Sequence, residues 1–195
     1  MMANAQRYPS NRALLTVRPA EAADKEAILA AIAAANTEYR PLISAEIYDE
    51  YFRSLRDLIT ARPDVRIAVA EQGQQIVGAV ALIADGDKAD VEDSDRWASV
   101  RALAVDPAAR RRGIGQRLVG WCIGEARRHE APAICLYRAI FQTTAHRLYE
   151  RLGFKRIPER DLGATTGCPD GGPAAGAPPL LAYWKMLGSL PNWQA

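Results

Sequence analysis

The sequence predicts an α/β fold, a three-layer α-β-α sandwich around a mixed sheet. Three observations carry that expectation. Short apolar runs alternate with longer segments of helical periodicity, a glycine-containing turn joins two apolar runs as a hairpin, and a strand-helix-strand crossover follows. The expected order is β-α-α-β-β-β-α-β-α-β-β, with no internal repeat.

Residues 1–12 are polar and aperiodic and read as a flexible tail, residues 13–187 as one domain and residues 188–195 as a second tail. Leu14–Arg18 reads as a short strand. Glu21 and Asp24 then precede an Ala-rich run with Ile28, Ile32 and Ala35 at helical spacing, and Arg40-Pro41 breaks it. Ser44 can cap a second helix to about Thr60. Its stripes, Ile47/Tyr51/Leu58 and Tyr48/Phe52/Leu55/Ile59, are too apolar for one-sided docking, so the second is a candidate cleft wall. Val65–Ala70 and Ile76–Ile83 flank the turn at 71–75 that holds Gly73. A charged loop, Asp85–Asp95, leads to a strand at Trp97–Val105 that Asp106-Pro107 ends. Ile114, Leu118, Trp121, Cys122 and Ala126 mark the clearest helix. Ala133–Tyr137 reads as a strand, Thr144–Leu152 as a helix stopped by Gly153, and Phe154–Ile157 as a strand. The Pro/Gly-rich stretch 158–179 reads as a long loop or lid before a last strand at Leu180–Leu187.

Composition narrows the function. At ~100–200 residues per domain, 195 residues fit one domain with a real core. Lys+Arg number 25 against 23 Asp+Glu, so no field-dominating basic surface argues for nucleic acid, and any anion site is local. No run approaches ~18 uninterrupted apolar residues and Met1–Asn11 lacks a secretory core, which predicts a cytoplasmic protein without membrane contact. Cys122, Cys135 and Cys168 lack paired spacing, and His129 and His146 lack ligand-spaced partners; neither a disulfide framework nor a metal site is expected. His146 reads as a surface or edge residue.

The informative segment runs from Ser99 to Leu118. Strand, turn, basic glycine-containing loop and helix start follow one another directly. The first turn of a helix has N–H groups without intrahelical partners and the positive end of the macrodipole, so it suits a phosphate. Gly113 and Gly115 permit close approach, while Arg110, Arg111 and Arg112 offer charge to phosphate oxygens. No Walker loop exists in the chain, and Leu118 stands where a dinucleotide fingerprint needs its third glycine.

Here the chain resembles the GNAT acetyltransferase superfamily. The resemblance lies in R-x-x-G-x-G as Arg110-x-x-Gly113-x-Gly115 after Leu103–Pro107, and in Ala145-x-x-Leu148-Tyr149-x-x-Leu152-Gly153-Phe154 about one strand later. Motif similarity covers about 100–154. It implies a splayed sheet in which the strands around Leu103–Val105 and Ala133–Tyr137 part for the pantetheine arm of acetyl-CoA. Main-chain groups of Leu103 and Val105, with Ala104 between them, would face that arm. The amides of Arg111, Arg112, Gly113, Ile114, Gly115 and Gln116 would cradle the pyrophosphate. The family's second motif often has asparagine three residues before Ala145; this chain has Gln142, beside Thr143 and Thr144. Tyr149 matches the family's leaving-group tyrosine.

Acetyl transfer to an amine needs a neutral nucleophile, a polarised thioester carbonyl and a proton for the thiolate. An alkylamine of pKa ~10.4 must lose a proton, a strand N–H can polarise the carbonyl, and a phenol of pKa ~10 can protonate a thiolate of pKa ~8.5. Where the family often carries a strand glutamate, this chain has Ser99, with Arg101 nearby. Deprotonation is left to Glu92, Asp93 or Asp95 upstream, or to water. Tyr39, Tyr48, Tyr51 and Phe52 are candidates for an aromatic acceptor wall, and Glu46, Asp49 and Glu50 for steering a cationic amine.

The expected activity is N-acetylation of a primary amine of a small molecule or peptide, by direct attack in a ternary complex. The rival from another class is a non-catalytic acyl-CoA sensor, to which the missing glutamate lends weight. Exposed strand edges leave a homodimer open without specifying an interface.

Overall fold

The structure, a computed structural model, describes residues 14–84, 97–163 and 177–188. Its strands are β1 (Leu15–Pro19), β2 (Val65–Gln72), β3 (Gln75–Ile83), β4 (Ala98–Val105), β5 (Ala133–Ala139), β6 (Lys155–Arg156) and β7 (Leu180–Met186). They form one mixed sheet in the order β1-β2-β3-β4-β5-β7-β6, in which only β4 and β5 pair in parallel. Helices α1 (Lys25–Asn36) and α2 (Ala45–Thr60) pack on one face with Val69, Ala79, Ala81 and Ala104. Helices α3 (Ile114–Arg128) and α4 (Thr143–Arg151) pack on the other with Ala68, Val80, Val100 and Leu136. The three layers expected from the sequence are present.

Local chemistry sets the element ends. Ser44 Oγ accepts from the Ile47 N–H at 3.4 Å and opens α2. The Asp106 carboxylate accepts from Ala108 N–H at 2.9 Å, which turns the chain out of β4. Pro41 does not release the chain into a loop, because a 3-10 turn over Thr37–Leu42 holds it. The strand expected at Phe154–Ile157 pairs only at Lys155–Arg156: Phe154 is drawn into the core and Pro158 opens a short 3-10 turn. His146 is not a surface residue. At 8% exposure it stacks on Tyr183 and donates from Nε2 to Ala139 O at 3.0 Å. Of the expected lid, residues 164–176 lie outside the described residues, as do Cys168 and the carboxylates Glu92, Asp93 and Asp95.

Helix α4 ends in a Schellman arrangement. Gly153 adopts φ +81, its N–H reaches Glu150 O at 3.0 Å and the Phe154 N–H reaches Tyr149 O at 3.0 Å. The turn fixes the backbone of Tyr149. Gly153→Ala would place a Cβ on left-handed backbone and 2.7 Å from Lys185 Nζ. We expect about 1–2 kcal/mol of lost stability in denaturant unfolding, with an unchanged m-value.

The parallel junction is short. β4 and β5 pair at Ala98↔Ile134, Ser99↔Cys135 and Val100↔Leu136, and no further. Immediately beyond, the β3–β4 register shifts between Ala79 and Ala81, and Ala102 takes φ 51. An extra residue on one strand bends it and increases its twist, so this bulge turns β4 away from β5 where the pairing stops. The expected splay is therefore present, and the bulge in β4 produces it.

Candidate active site

The breach has a defined edge. The Asp106 N–H donates to Val77 O at 2.9 Å, and the alternation of an antiparallel ladder then points Ala104 at β3 and leaves Leu103 and Val105 facing the open side. Both are part-buried and have no ladder partner on that side. Val105 O accepts from Arg110 Nε at 3.2 Å, so its N–H and both main-chain groups of Leu103 remain for a ligand.

At the same end of the sheet, α3 begins at Gly113, whose φ is +76. The first intrahelical bond runs from Arg117 N–H to Gly113 O at 3.0 Å. Among the described residues, the N–H groups of residues 111–116 meet no protein acceptor, and no side chain caps the helix. Arg111 is also left-handed, at φ 64. A Cβ built on Gly113 would meet nothing within 4 Å, so the space in front of these amides is open. Ile114 is buried beneath them and Gly115 packs on Leu148, which fixes the helix against α4. Gln116, Arg111 and Arg112 are exposed.

The three arginines differ in placement. Arg110 acts as a brace, donating to Val105 O, to Ala35 O at 2.9 Å and to Glu38 Oε1 at 2.7 Å. It ties the end of β4 to the end of α1. Arg112 makes a long contact to Gln72 Oε1 at 3.4 Å, so Arg111 and Arg112 are the cations standing at the helix mouth.

On the other side of the breach, Gln142 caps α4, and its Oε1 accepts from the Ala139 N–H at 3.2 Å. The amide therefore fastens the end of β5. Ala145 packs against the core one turn on. Tyr149 is fully buried, with its ring edge-on to Phe154 at 5.7 Å and tilted to Tyr183 at 6.2 Å.

Its hydroxyl meets a residue that the sequence reading missed. Arg138 Nε donates to Tyr149 Oη at 3.0 Å, and the guanidinium lies 5.9 Å from the same ring. Arg138 sits on β5 two residues beyond the last pair with β4, and is only 8% exposed. Burial opposes its charge, yet the attraction of Tyr149, Tyr51 and Tyr39 outweighs that and holds its pKa above the ordinary arginine value. A signal was available: the apolar run Ala133–Tyr137 continues through Arg138 to Ala139, and a strand's period of two puts Arg138 on the face of Leu136.

The aromatic wall divides into two groups. Along α2, Phe52 contacts Tyr48 at 4.7 Å and Tyr51 at 5.9 Å, and Tyr39 packs on Phe141 at 5.2 Å. Burial, with Glu38 beside it, pushes the Tyr39 phenol up to about 12, and burial also raises Tyr51. Both phenols are therefore neutral near pH 7. Glu46, Asp49 and Glu50 are exposed, and Glu50 pairs with Arg53. Cys122 and Cys135 are buried, and burial pushes the Cys122 thiol up, which makes it a poor nucleophile. Ser99 is buried in the paired stretch, with no hydrogen-bond partner for its hydroxyl. No helix among the described residues is long and apolar enough to cross a membrane.

Comparison with known proteins agrees with this geometry. The family model described as an acetyltransferase (GNAT) domain matches residues 63–156. The chain is 32% identical over 110 residues to an IAA acetyltransferase of Azospirillum brasilense, covering 56% of this chain and 67% of that protein. In fold it is similar to the Thermoplasma acidophilum paia N-acetyltransferase solved with coenzyme A, with a TM-score of 0.64 at 16% identity over 89% of this chain and 99% of that one. It is also similar to yncA of Salmonella typhimurium, solved with its cofactor acetyl-CoA, with a TM-score of 0.60 at 20% identity over 90% and 95% of the two chains.

Proposed function

Because the chain belongs to the GNAT acetyltransferase superfamily, we propose that it moves the acetyl group of acetyl-CoA to a primary amine of a small molecule or peptide by direct attack in a ternary complex. The observation that carries the reading is the three-pair junction of β4 and β5 beside an uncapped helix mouth. Acetyl-CoA supplies the acetyl thioester. The residues present fit it: six successive unpartnered amides and open space at Gly113 suit a pyrophosphate, and the free edge of β4 suits an amide-bearing arm.

Each residue then has a task. The amides of Arg111, Arg112, Gly113, Ile114, Gly115 and Gln116 hold the phosphates, helped by the charges of Arg111 and Arg112. Arg110 keeps β4, α1 and the loop in register, so its contribution is to position the cradle. Leu103 and Val105 bind the arm from the main chain, with Ala104 locked to β3, and an N–H of that edge polarises the thioester carbonyl. Gln142 and Ala145 shape the far wall. The amine nitrogen forms its bond to the acetyl carbon as the carbon–sulfur bond breaks, and Tyr149 gives its hydroxyl proton to the departing sulfur. Arg138, donating to the phenol oxygen, leaves the Tyr149 O–H free to point elsewhere. The amine sheds its proton to water. Buried Cys122 argues against an acetyl-cysteine route.

A thiol-release assay with acetyl-CoA and a panel of primary amines separates this reading from that of a sensor. Amine-dependent release of CoA is expected. Binding of acetyl-CoA without release across the panel would establish the sensor instead.

A further inference from the structure

Among the described residues, Arg138 is a buried cation without an anion. Its Nε is engaged by Tyr149, its Nη2 is buried with no hydrogen-bond partner, and no carboxylate among the described residues pairs with it. Glu38, which flanks Tyr39, is bonded to Arg110 instead. The groups that face Arg138 are phenols: Tyr149 from α4, Tyr51 from α2 and Tyr39 from the turn after α1. Tyr149 packs on one face of the sheet and Tyr51 on the other, with Arg138 on the strand that borders the breach. The neutral phenols of Tyr39 and Tyr51 offer lone pairs and no full counter-charge, and a buried charge without a counter-ion is unfavourable. Such a group persists where a ligand completes it.

We propose that Arg138 reads an anionic group on the acceptor, a carboxylate, so that the preferred substrates are amines that carry one, as amino acids do. This rests on the transferase reading above. With Nε held, the Nη1–Nη2 end of the guanidinium is the edge left to engage two carboxylate oxygens in parallel. Tyr51 and Tyr39 stand on the α2 side, where the acceptor is expected, and Tyr149 stands on the leaving-group side. One guanidinium would thereby orient both the proton donor and the nucleophile. Arg138 acts here as a specificity and positioning residue.

The test compares amino acids with their own carboxamides, which keep the amine and side chain and lose the charge. Ratios of kcat/KM are read by thiol release at saturating acetyl-CoA. Wild-type protein is expected to prefer the carboxylate form by about tenfold or more, because a site built for a polar group rejects the analogue without it. Arg138→Gln is expected to bring the ratio to within about twofold, and Arg138→Lys, which keeps the charge and loses the fork, to fall between. Melting curves check folding, and Arg138→Lys stands in should Arg138→Gln not fold. A wild-type ratio near one overturns the proposal without any variant. So does an Arg138→Gln protein that keeps the wild-type ratio while kcat falls equally for both forms, which would confine Arg138 to the thiol end. Failure of the transferase reading looks different: acetyl-CoA binds and no amine of either kind releases thiol, which removes both.

Discussion

Gly113→Glu is expected to weaken acetyl-CoA binding by more than about tenfold, or about 1.4 kcal/mol, in calorimetry. Two effects act together. The φ of +76 is costly for any residue with a Cβ, and a carboxylate would project into the open space before the amides of residues 111–116. There it would meet the positive end of α3 and compete with the pyrophosphate while repelling it. Gly113→Ala separates the two, because it carries the backbone strain without the charge and should lose less affinity. Equal affinity in Gly113→Glu and wild type would mean that the phosphates bind elsewhere.

The second large effect is expected for Tyr149→Phe. Removal of a positioned general acid lowers kcat by on the order of 10²-fold or more, while the Kd for CoA stays within about twofold. The variant also leaves Arg138 Nε without its acceptor in a buried setting, so a loss of stability of about 1–3 kcal/mol should accompany it. Turnover is therefore compared well below the melting transition of the variant. Rates equal to wild type across pH would take the proton-donor role from Tyr149 and leave the phenol as a buried partner of Arg138.

Most of the frame was legible because it is written in local pattern. The period of α3, the cap at Ser44, the hairpin around Gly73 and the stop at Gly153 are each encoded within a few residues. The helix mouth was legible for the same reason, since Gly113 and the loop before it are contiguous. What escaped depends on tertiary placement. Ala102 carries no turn chemistry, so the bulge that opens the sheet has no sequence mark; it follows from how β4 pairs with β3. Arg138 reads as the polar end of an apolar strand, and only the packing of α4 with Tyr149 against β5 shows it as a buried cation. Arg110 reads like its two neighbours, yet Ala35 and Glu38, remote in sequence, draw it away from them. His146 looked peripheral because α4 alone does not reveal Tyr183 against it.

The three-pair junction has one more consequence. It divides the molecule into two leaves joined by a narrow hinge line, with Leu103, Val105 and the start of α3 on the leaf of β1–β4 and Arg138, Gln142 and Tyr149 on the leaf of β5–β7. The open helix mouth lies wholly on the first leaf, so substitution of Arg138 on the second leaves its amides untouched.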